Sequence, residues 1–314
     1  MRFSIIAASF IDRGKALNTN IAAKAEKQIS LSIVIPAYNE ERALPDVLKK
    51  LEPYAKENGW DVLIVNDGST DATAQVVSAF DFCTLINHPY NKGYGAAVKT
   101  AVRNVKTEYF LLFDSDGQHN PEDIPGFLAD AEQYDMIIGA RRRDSALQLH
   151  RMPGKKILTL TANYLTGMKI PDLNSGFRLA RTKAFKDFMH IYPNGFSIST
   201  TSTIAFLQGG YSVRWEPIRT FERVGRKSNV NMVKDGFNAI MLILRVVTLF
   251  NPLKVFLPGS FFVFLLGLLW AIYGFVSFSR IPNTSVVIMV FGFLLFFAGI
   301  LADLISSIRR GPDN

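Results

Sequence analysis

The sequence predicts an α/β domain built on a largely parallel sheet, followed by an α-helical membrane hairpin. Three observations predict it. From residue 31 onward, short and nearly all-apolar runs alternate with helical patterns. Polar motifs fall at the ends of those runs, where an open parallel sheet collects its ligands. Near the C-terminus, the stretches from Val255 to Ser279 and from Ile281 to Ala302 are apolar, with Arg280 the one formal charge between them.

Taken in order, residues 1–29 read as an N-terminal extension or surface helix, because the apolar run Ile5 to Ile11 is short and flanked by Arg2 and Arg13. Strands are expected over Leu31 to Pro36, Asp61 to Asn66, Thr84 to Asn87, Tyr109 to Phe113 and Met136 to Gly139, nearly all apolar as strands covered on both faces should be. Glu41 to Lys56, Asp71 to Phe80 and Tyr94 to Val105 read as helices, the second capped by Thr70 or Asp71. After residue 140 come a basic loop from Arg141 to Lys156, a helix to about Thr166, a Gly- and Pro-punctuated stretch, and a final strand over 213–222. The catalytic unit is thus expected over 30–230. Residues 231–252 read as an amphipathic segment lying at the membrane interface, with a third span as the alternative. Two spans, 255–279 and 282–305 within 253–308, and a tail over 309–314 complete the chain.

Each apolar stretch passes the length test for a span, since about 20 helical residues cross a core of roughly 30 Å. The hydrophobic content of 48% and mean hydropathy of +0.15 agree. Basic residues Arg223, Arg226, Lys227, Lys234, Arg245 and Lys254 precede the hairpin and Arg309 and Arg310 follow it, so the positive-inside rule puts both termini and the catalytic unit in the cytoplasm. The net charge of +8 therefore has the lipid bilayer as its partner. Nucleic acid is excluded as a partner: no zinc-finger spacing, RNA-binding signature or basic repeat is present. With Cys83 as the single cysteine there is no intramolecular disulfide, in keeping with a reducing compartment.

The first strand ends in Pro36-Ala37-Tyr38-Asn39-Glu40, the second in Asn66-Asp67-Gly68-Ser69-Thr70-Asp71, and the strand at 109 in Asp114-Ser115-Asp116-Gly117-Gln118. Two carboxylates one residue apart at a strand end, with glycine next, can turn oxygens toward one hard cation, Mg²⁺ or Mn²⁺. Such a cation bridges diphosphate oxygens and stabilises a departing nucleoside diphosphate. Asp114 and Asp116 are the candidate metal ligands, Gln118 offers a neutral oxygen, and His119 reads as a hydrogen-bonding neighbour. Taken alone the pair also fits a helix cap or a solvated turn.

The four motifs PAYNE, VNDGSTD, NKGYGAA and DSDGQ, in this order and spacing, resemble a family 2 glycosyltransferase of the GT-A fold over roughly residues 30 to 230. Asp172-Leu173-Asn174-Ser175-Gly176-Phe177-Arg178, Arg223-Val224-Gly225-Arg226-Lys227-Ser228 and the hairpin are similar to the dolichyl- or undecaprenyl-phosphate hexosyltransferases. The resemblance implies that Pro36, Tyr38 and Glu40 line the nucleotide pocket and that Val65 and Asp67 hold the base and ribose region. Asp114, Ser115 and Asp116 would meet the diphosphate and metal, with Arg223 near the diphosphate. Arg226 or Lys227 would replace the family's usual lysine, or else form a juxtamembrane basic patch. Arg141 matches the arginine closing a G-x-R turn, and Arg141, Lys155 and Lys156 resemble the segment for the acceptor phosphate, to which Thr159 adds a hydroxyl.

The expected reaction is inverting transfer of a hexose from a nucleotide-sugar donor, UDP-glucose-type or GDP-mannose, to a polyprenyl phosphate. The acceptor is already an anion at neutral pH, so positioning and charge stabilisation do most of the work and no covalent enzyme intermediate is needed. Two rivals stand beside it. A polysaccharide synthase usually carries Q-x-x-R-W, whereas Gln208 precedes Arg214-Trp215 at the wrong spacing, and a two-helix hairpin is too little for a channel. A non-catalytic sugar-nucleotide scaffold is opposed by the intact carboxylate pair. The interfacial and spanning helices also leave surface for homo-oligomer formation.

Overall fold

The computed structural model describes residues 29–141, 153–221, 241 and 251–310. The chain begins β1 (Leu31–Ala37), α1 (Leu44–Asn58), β2 (Asp61–Asn66), α2 (Thr73–Ser78), β3 (Cys83–Asn87), α3 (Tyr94–Asn104) and β4 (Tyr109–Leu112). It continues through α4 (Ile124–Leu128), β5 (Met136–Arg141), α5 (Pro153–Thr166), β6 (Arg178–Arg181), α6 (Thr182–Asp187), α7 (Ile198–Gln208) and β7 (Val213–Ile218), and ends in α8 (Leu253–Phe278) and α9 (Asn283–Arg310).

Seven strands make one sheet in the order β3-β2-β1-β4-β6-β5-β7. All neighbours are parallel except β6, which runs antiparallel to both β4 and β5. Successive strand residues alternate between two cores, which is why the strands read as unbroken apolar runs. Ile33 and Ile35 of β1 face one core with Leu44, Val47, Leu48 and Leu51 of α1, while Val34 faces the other with Ala97, Val98 and Ala101 of α3. Chain order reverses at β1, flanked by β2 on one side and β4 on the other, so a crevice opens beyond the carboxyl ends of β1 and β4.

Two helix starts differ from expectation for local reasons. Pro45 in the first turn sets the start of α1 at Leu44 rather than Glu41. Ahead of it, the backbone N–H groups of Glu40 and Glu41 donate to Thr73 Oγ1 at 2.9 Å and Asp71 Oδ2 at 3.2 Å. Asp71 also accepts from the N–H of Thr73 at 3.0 Å, capping α2 from two residues before it.

Residues 178–208, read from sequence only as a punctuated stretch, contain β6, α6 and α7. Strand β6 is four residues long with arginine at both ends, and α7 is buried almost throughout its Ser199-Thr200-Thr201-Ser202-Thr203 run. A helix whose buried face is made of hydroxyls has no apolar stripe to detect. The final strand ends at Ile218, before the expected 222.

In α8 and α9, 26-residue apolar segments reach about 39 Å at about 1.5 Å per residue, beyond the roughly 30 Å hydrocarbon core. They pack through small residues: Gly267 lies against Met289, Gly292 against Phe264 and Gly299 against Phe256, while their other faces expose Phe, Leu, Val and Ile. At the turn end Trp270 stacks on Tyr273 and donates its indole N–H to Thr284 at 3.0 Å, an aromatic pair of the kind that marks a lipid–water boundary. At the other end Pro258 has no N–H for the carbonyl four residues back, that of Lys254, which accepts the Tyr164 hydroxyl of α5 at 2.9 Å. The interfacial segment expected over 231–252 lies outside the described residues apart from 241, 251 and 252.

Candidate active site

Directly after β4 the chain turns through Asp114-Ser115-Asp116 and reverses at Gly117, whose φ of 76° is open to glycine without strain. Asp116 is 9% exposed and its Oδ1 accepts from the Gln118 N–H at 3.1 Å, which tightens that turn. Asp114 is held from three sides. The Tyr94 hydroxyl at the start of α3 donates to Oδ1 at 2.9 Å, His119 Nε2 lies 3.3 Å from Oδ2, and the backbone of Gly176 closes the third side. The contact with Gly176 is so close that a Cβ added there would sit 2.3 Å from Asp114 Oδ2.

Burial pushes the Asp114 carboxyl up, but the hydrogen bonds and charge of His119, the Tyr94 hydroxyl and the buried Arg178 outweigh it, so its pKa lies below the ordinary carboxylate range. His119 is itself fixed by stacking on Phe177, ring centroids 4.8 Å apart. Its Nδ1, like Ser175 Oγ and Arg178 Nε, is a buried polar atom with no hydrogen-bond partner among the described residues.

Arg178 carries a buried positive charge. Its guanidinium is 1% exposed and donates to Ser199 O at 2.9 Å, Ser202 Oγ at 2.7 Å, Thr203 Oγ1 at 3.3 Å and the Ser175 carbonyl. Among the described residues no carboxylate pairs with it directly, and Asp114 feels its charge through space. The hydroxyl-rich turn of α7 is therefore the solvation shell of a cation lodged behind the carboxylates.

The donor set fits a hard divalent ion completed by substrate. Among the described residues no group of three or more His, Cys, Asp and Glu side chains could hold a metal alone. Two carboxylates beside Gln118 leave coordination positions for diphosphate oxygens and water, the pattern expected of Mg²⁺ or Mn²⁺.

The other expected site residues divide into three groups. Pro36, Val65 and Asp67 are buried, Ser115 and Glu40 nearly so, and Tyr38 stands 37% exposed at the crevice rim. Asp67 engages the loop before α3 with both oxygens: Oδ1 meets His88 Nδ1 at 2.7 Å and the Lys92 N–H at 2.9 Å, and Oδ2 accepts the Gly93 N–H at 2.8 Å. In this state it orders the NKGYG turn that delivers Tyr94. At the second group, Arg141 ends β5 and is gripped by Asp172, Nε to Oδ2 at 2.7 Å and Nη2 to Oδ1 at 2.9 Å. Lys155 and Lys156 fall in the first turn of α5 and Thr159, partly buried, in its second. Arg223 and Lys227, like Arg226, lie outside the described residues, although the Phe221 N–H bonds the Gln118 carbonyl at 3.1 Å and so brings the chain to the carboxylate turn just before them.

Sequence reasoning passed over Tyr94, Asp172, Gly176 and Arg178 as parts of the site machinery. Burial pushes the Asp172 carboxyl up, but the Arg141 guanidinium and two backbone N–H groups more than offset this and hold its pKa below the ordinary range. A lowered folded pKa gives stability that is complete above the unfolded value of about 3.9 and fades as pH falls through the folded one. Asp172→Asn is thus expected to lower stability by about 2 kcal/mol at neutral pH, because it leaves Arg141 partly buried without its charge partner. The gap to wild type should close below about pH 4. Thermal unfolding in detergent across a pH series checks both points.

Comparison with known proteins follows the same lines. Residues 32–189 match the family described as Glycosyl transferase family 2, and residues 251–308 match the GtrB C-terminal hairpin. The chain is 28% identical over 295 residues to glycosyltransferase AglJ of Haloferax volcanii, covering 90% of this chain and 95% of that protein. It is 29% identical to the dolichyl-phosphate beta-glucosyltransferase ALG5A of Trichomonas vaginalis, covering 68% of this chain and 73% of the relative. In fold it is similar to glucosyl-3-phosphoglycerate synthase of Mycobacterium tuberculosis, solved with Mn²⁺, UDP and glucosyl-3-phosphoglycerate, with a TM-score of 0.57 at 18% identity over 72% of this chain and 81% of that one.

Proposed function

The chain belongs to glycosyl transferase family 2, and from that premise we propose that it transfers a hexose from a nucleotide-sugar, of UDP-hexose type, to a polyprenyl phosphate at the cytoplasmic face of a membrane. The observation that carries this reading is one juxtaposition. A carboxylate pair lies at the open end of the sheet, in a chain whose α5 is hydrogen bonded to the first turn of an apolar hairpin. The name of the dolichyl-phosphate beta-glucosyltransferase relative and the match to the GtrB hairpin support the acceptor class. The basic residues on both flanks of the hairpin support cytoplasmic termini.

Asp114, Asp116 and Gln118 would hold Mg²⁺ or Mn²⁺, which when bound neutralises charge building on the nucleoside diphosphate as it leaves. The chain's own residues supply the rest. Tyr94, His119 and Gly176 keep the Asp114 carboxylate in one orientation, and the hydrogen bonds and charge of His119, then the Tyr94 hydroxyl, with a smaller part from Arg178, favour its ionised form. Tyr38 and Glu40 border the crevice from β1 as nucleotide contacts, with Pro36, Val65 and Asp67 forming its floor and wall. Arg141, oriented by Asp172, and Lys155, Lys156 and Thr159 at the start of α5 receive the acceptor phosphate. The acceptor attacks as a ready-made anion and needs no general base. The phosphate oxygen attacks the anomeric carbon opposite the leaving group, with inversion.

Incubating detergent-purified protein and undecaprenyl phosphate with radiolabelled UDP-glucose, other UDP-hexoses or GDP-mannose tests this, each with Mg²⁺, Mn²⁺ or EDTA. The expected result is a lipid-linked hexose from a UDP-hexose that disappears with EDTA. No lipid product from any donor, despite nucleotide binding, would turn the assignment toward a synthase or a scaffold.

A further inference from the structure

We propose that Phe196 is the platform on which the donor's hexose lies, one face of its ring packed against the C–H groups of the pyranose. At 82% exposure it is the most open large apolar side chain among the described residues, yet it is held in place. Its ring stacks on that of Tyr94, with centroids 5.2 Å apart and planes 19° from parallel. One face is thus covered by protein and the other is open.

The backbone fixes this stack. Phe196 lies in the loop just before α7, and that loop is seated on the first turn of α3. The Asn194 carbonyl accepts the Ala96 N–H at 3.1 Å, and a Cβ added at Gly95 would stand 2.3 Å from the Pro193 carbonyl oxygen, so only glycine admits the loop this closely. Single exposed apolar residues are common on protein surfaces and need no ligand. This one differs in its support, because the ring beneath it belongs to the residue whose hydroxyl donates to Asp114 Oδ1 at 2.9 Å. The open face is therefore one stacked ring away from the carboxylate proposed to hold the cation on the donor diphosphate.

That position selects the occupant. In a nucleotide-sugar the hexose is bonded directly to the diphosphate, so it lies beside the group received at Asp114 and Asp116. The isoprenoid of the acceptor follows a phosphate assigned to Arg141 at the end of β5, and β6 separates β5 from β4, which sets those two strands about 10 Å apart across the sheet. Phe196 is tied to α3 and hence to the donor side. An aromatic face carries negative potential and the C–H groups of a pyranose are weakly positive, so sugar and ring attract as a ring edge and a ring face do.

The inference rests on the proposed hexosyl transfer, and the test separates the two. The full chain in detergent, as wild type, Phe196→Ala, Phe196→Leu and Phe196→Tyr, is titrated with UDP-glucose and UDP, and with GDP-mannose and GDP, each with Mn²⁺ and without acceptor. UDP and GDP lack the hexose, so the difference within a pair reads the sugar alone. Alanine and leucine should weaken the nucleotide-sugar that binds by about fivefold or more and leave its nucleoside diphosphate within about twofold, while tyrosine, which keeps the ring face, stays near wild type. Equal losses for nucleotide-sugar and diphosphate would make Phe196 a support for Tyr94, and unchanged affinities would make it an ordinary surface residue; either overturns the platform. A wild type that binds neither nucleotide-sugar would overturn the hexosyl-transfer reading and this inference with it.

Discussion

Asp116→Ala is expected to lower kcat/KM by about three orders of magnitude while leaving the protein folded. Asp116 does two things at once, since Oδ1 accepts the Gln118 N–H at 3.1 Å and the carboxylate offers charge to a cation. The alanine variant loses both, so a loosened turn at Gly117 could explain its inactivity. Asp116→Asn separates them, because the amide oxygen can still accept from Gln118 while the charge is gone. If the charge is what matters, Asn and Ala are equally inactive and both fail to bind Mn²⁺ in a direct titration. An asparagine variant with activity within about tenfold of wild type would assign Asp116 to the turn and remove it from the metal site.

Gly176→Ala should be nearly as damaging, although the substitution adds one methyl group. The new Cβ would come within 2.3 Å of Asp114 Oδ2 and 2.8 Å of Oδ1, closer than carbon and oxygen can stand. The carboxylate is the end of a side chain, so it gives way before the backbone does. In swinging aside it loses the Tyr94 hydroxyl at 2.9 Å and the His119 contact at 3.3 Å. A displacement of about 1 Å in a catalytic group costs on the order of a hundredfold in rate, and that loss is expected in kcat/KM with the melting temperature changed by only a few degrees. A variant of normal activity would show that Asp114 has no fixed orientation to lose.

Much of this architecture was legible in the residues, and what was missed has physical causes. Strands β1, β2 and β4 announce themselves as apolar runs ended by polar motifs, and the two hairpin helices by length and composition. The carboxylate pair was singled out as a candidate from its spacing and its expected position at a strand end, and it does follow β4 at that end of the sheet. Gly176 and Tyr94 were passed over because their importance is a distance to a carboxylate 62 and 20 residues away in the chain, which no local pattern encodes. Arg178 was passed over for a different reason: composition ranks arginine as a surface residue, and its burial is made tolerable by the hydroxyls of α7 together with the Ser175 and Ser199 carbonyls. Asp172 stands in the stretch that raised the resemblance, yet its grip on Arg141 spans 31 residues. Asp67 was expected beside the base and ribose from its motif, and the structure gives its oxygens to His88, Lys92 and Gly93.

The placement of β6 sets a timetable for synthesis. The two neighbours of β5 are β6 and β7, both later in the chain, so Met136-Ile137-Ile138 leaves the ribosome with neither pairing edge satisfied. Strands β1 to β4 can assemble meanwhile, but one edge of β4 stays open until residues 178–181 arrive, and Gly176 reaches Asp114 only then. A nascent chain halted near residue 170 would thus hold both Asp114 and Asp116 and still lack a shaped site. Its apolar strand edges would be open to aggregation or to a chaperone until the antiparallel strand closes them.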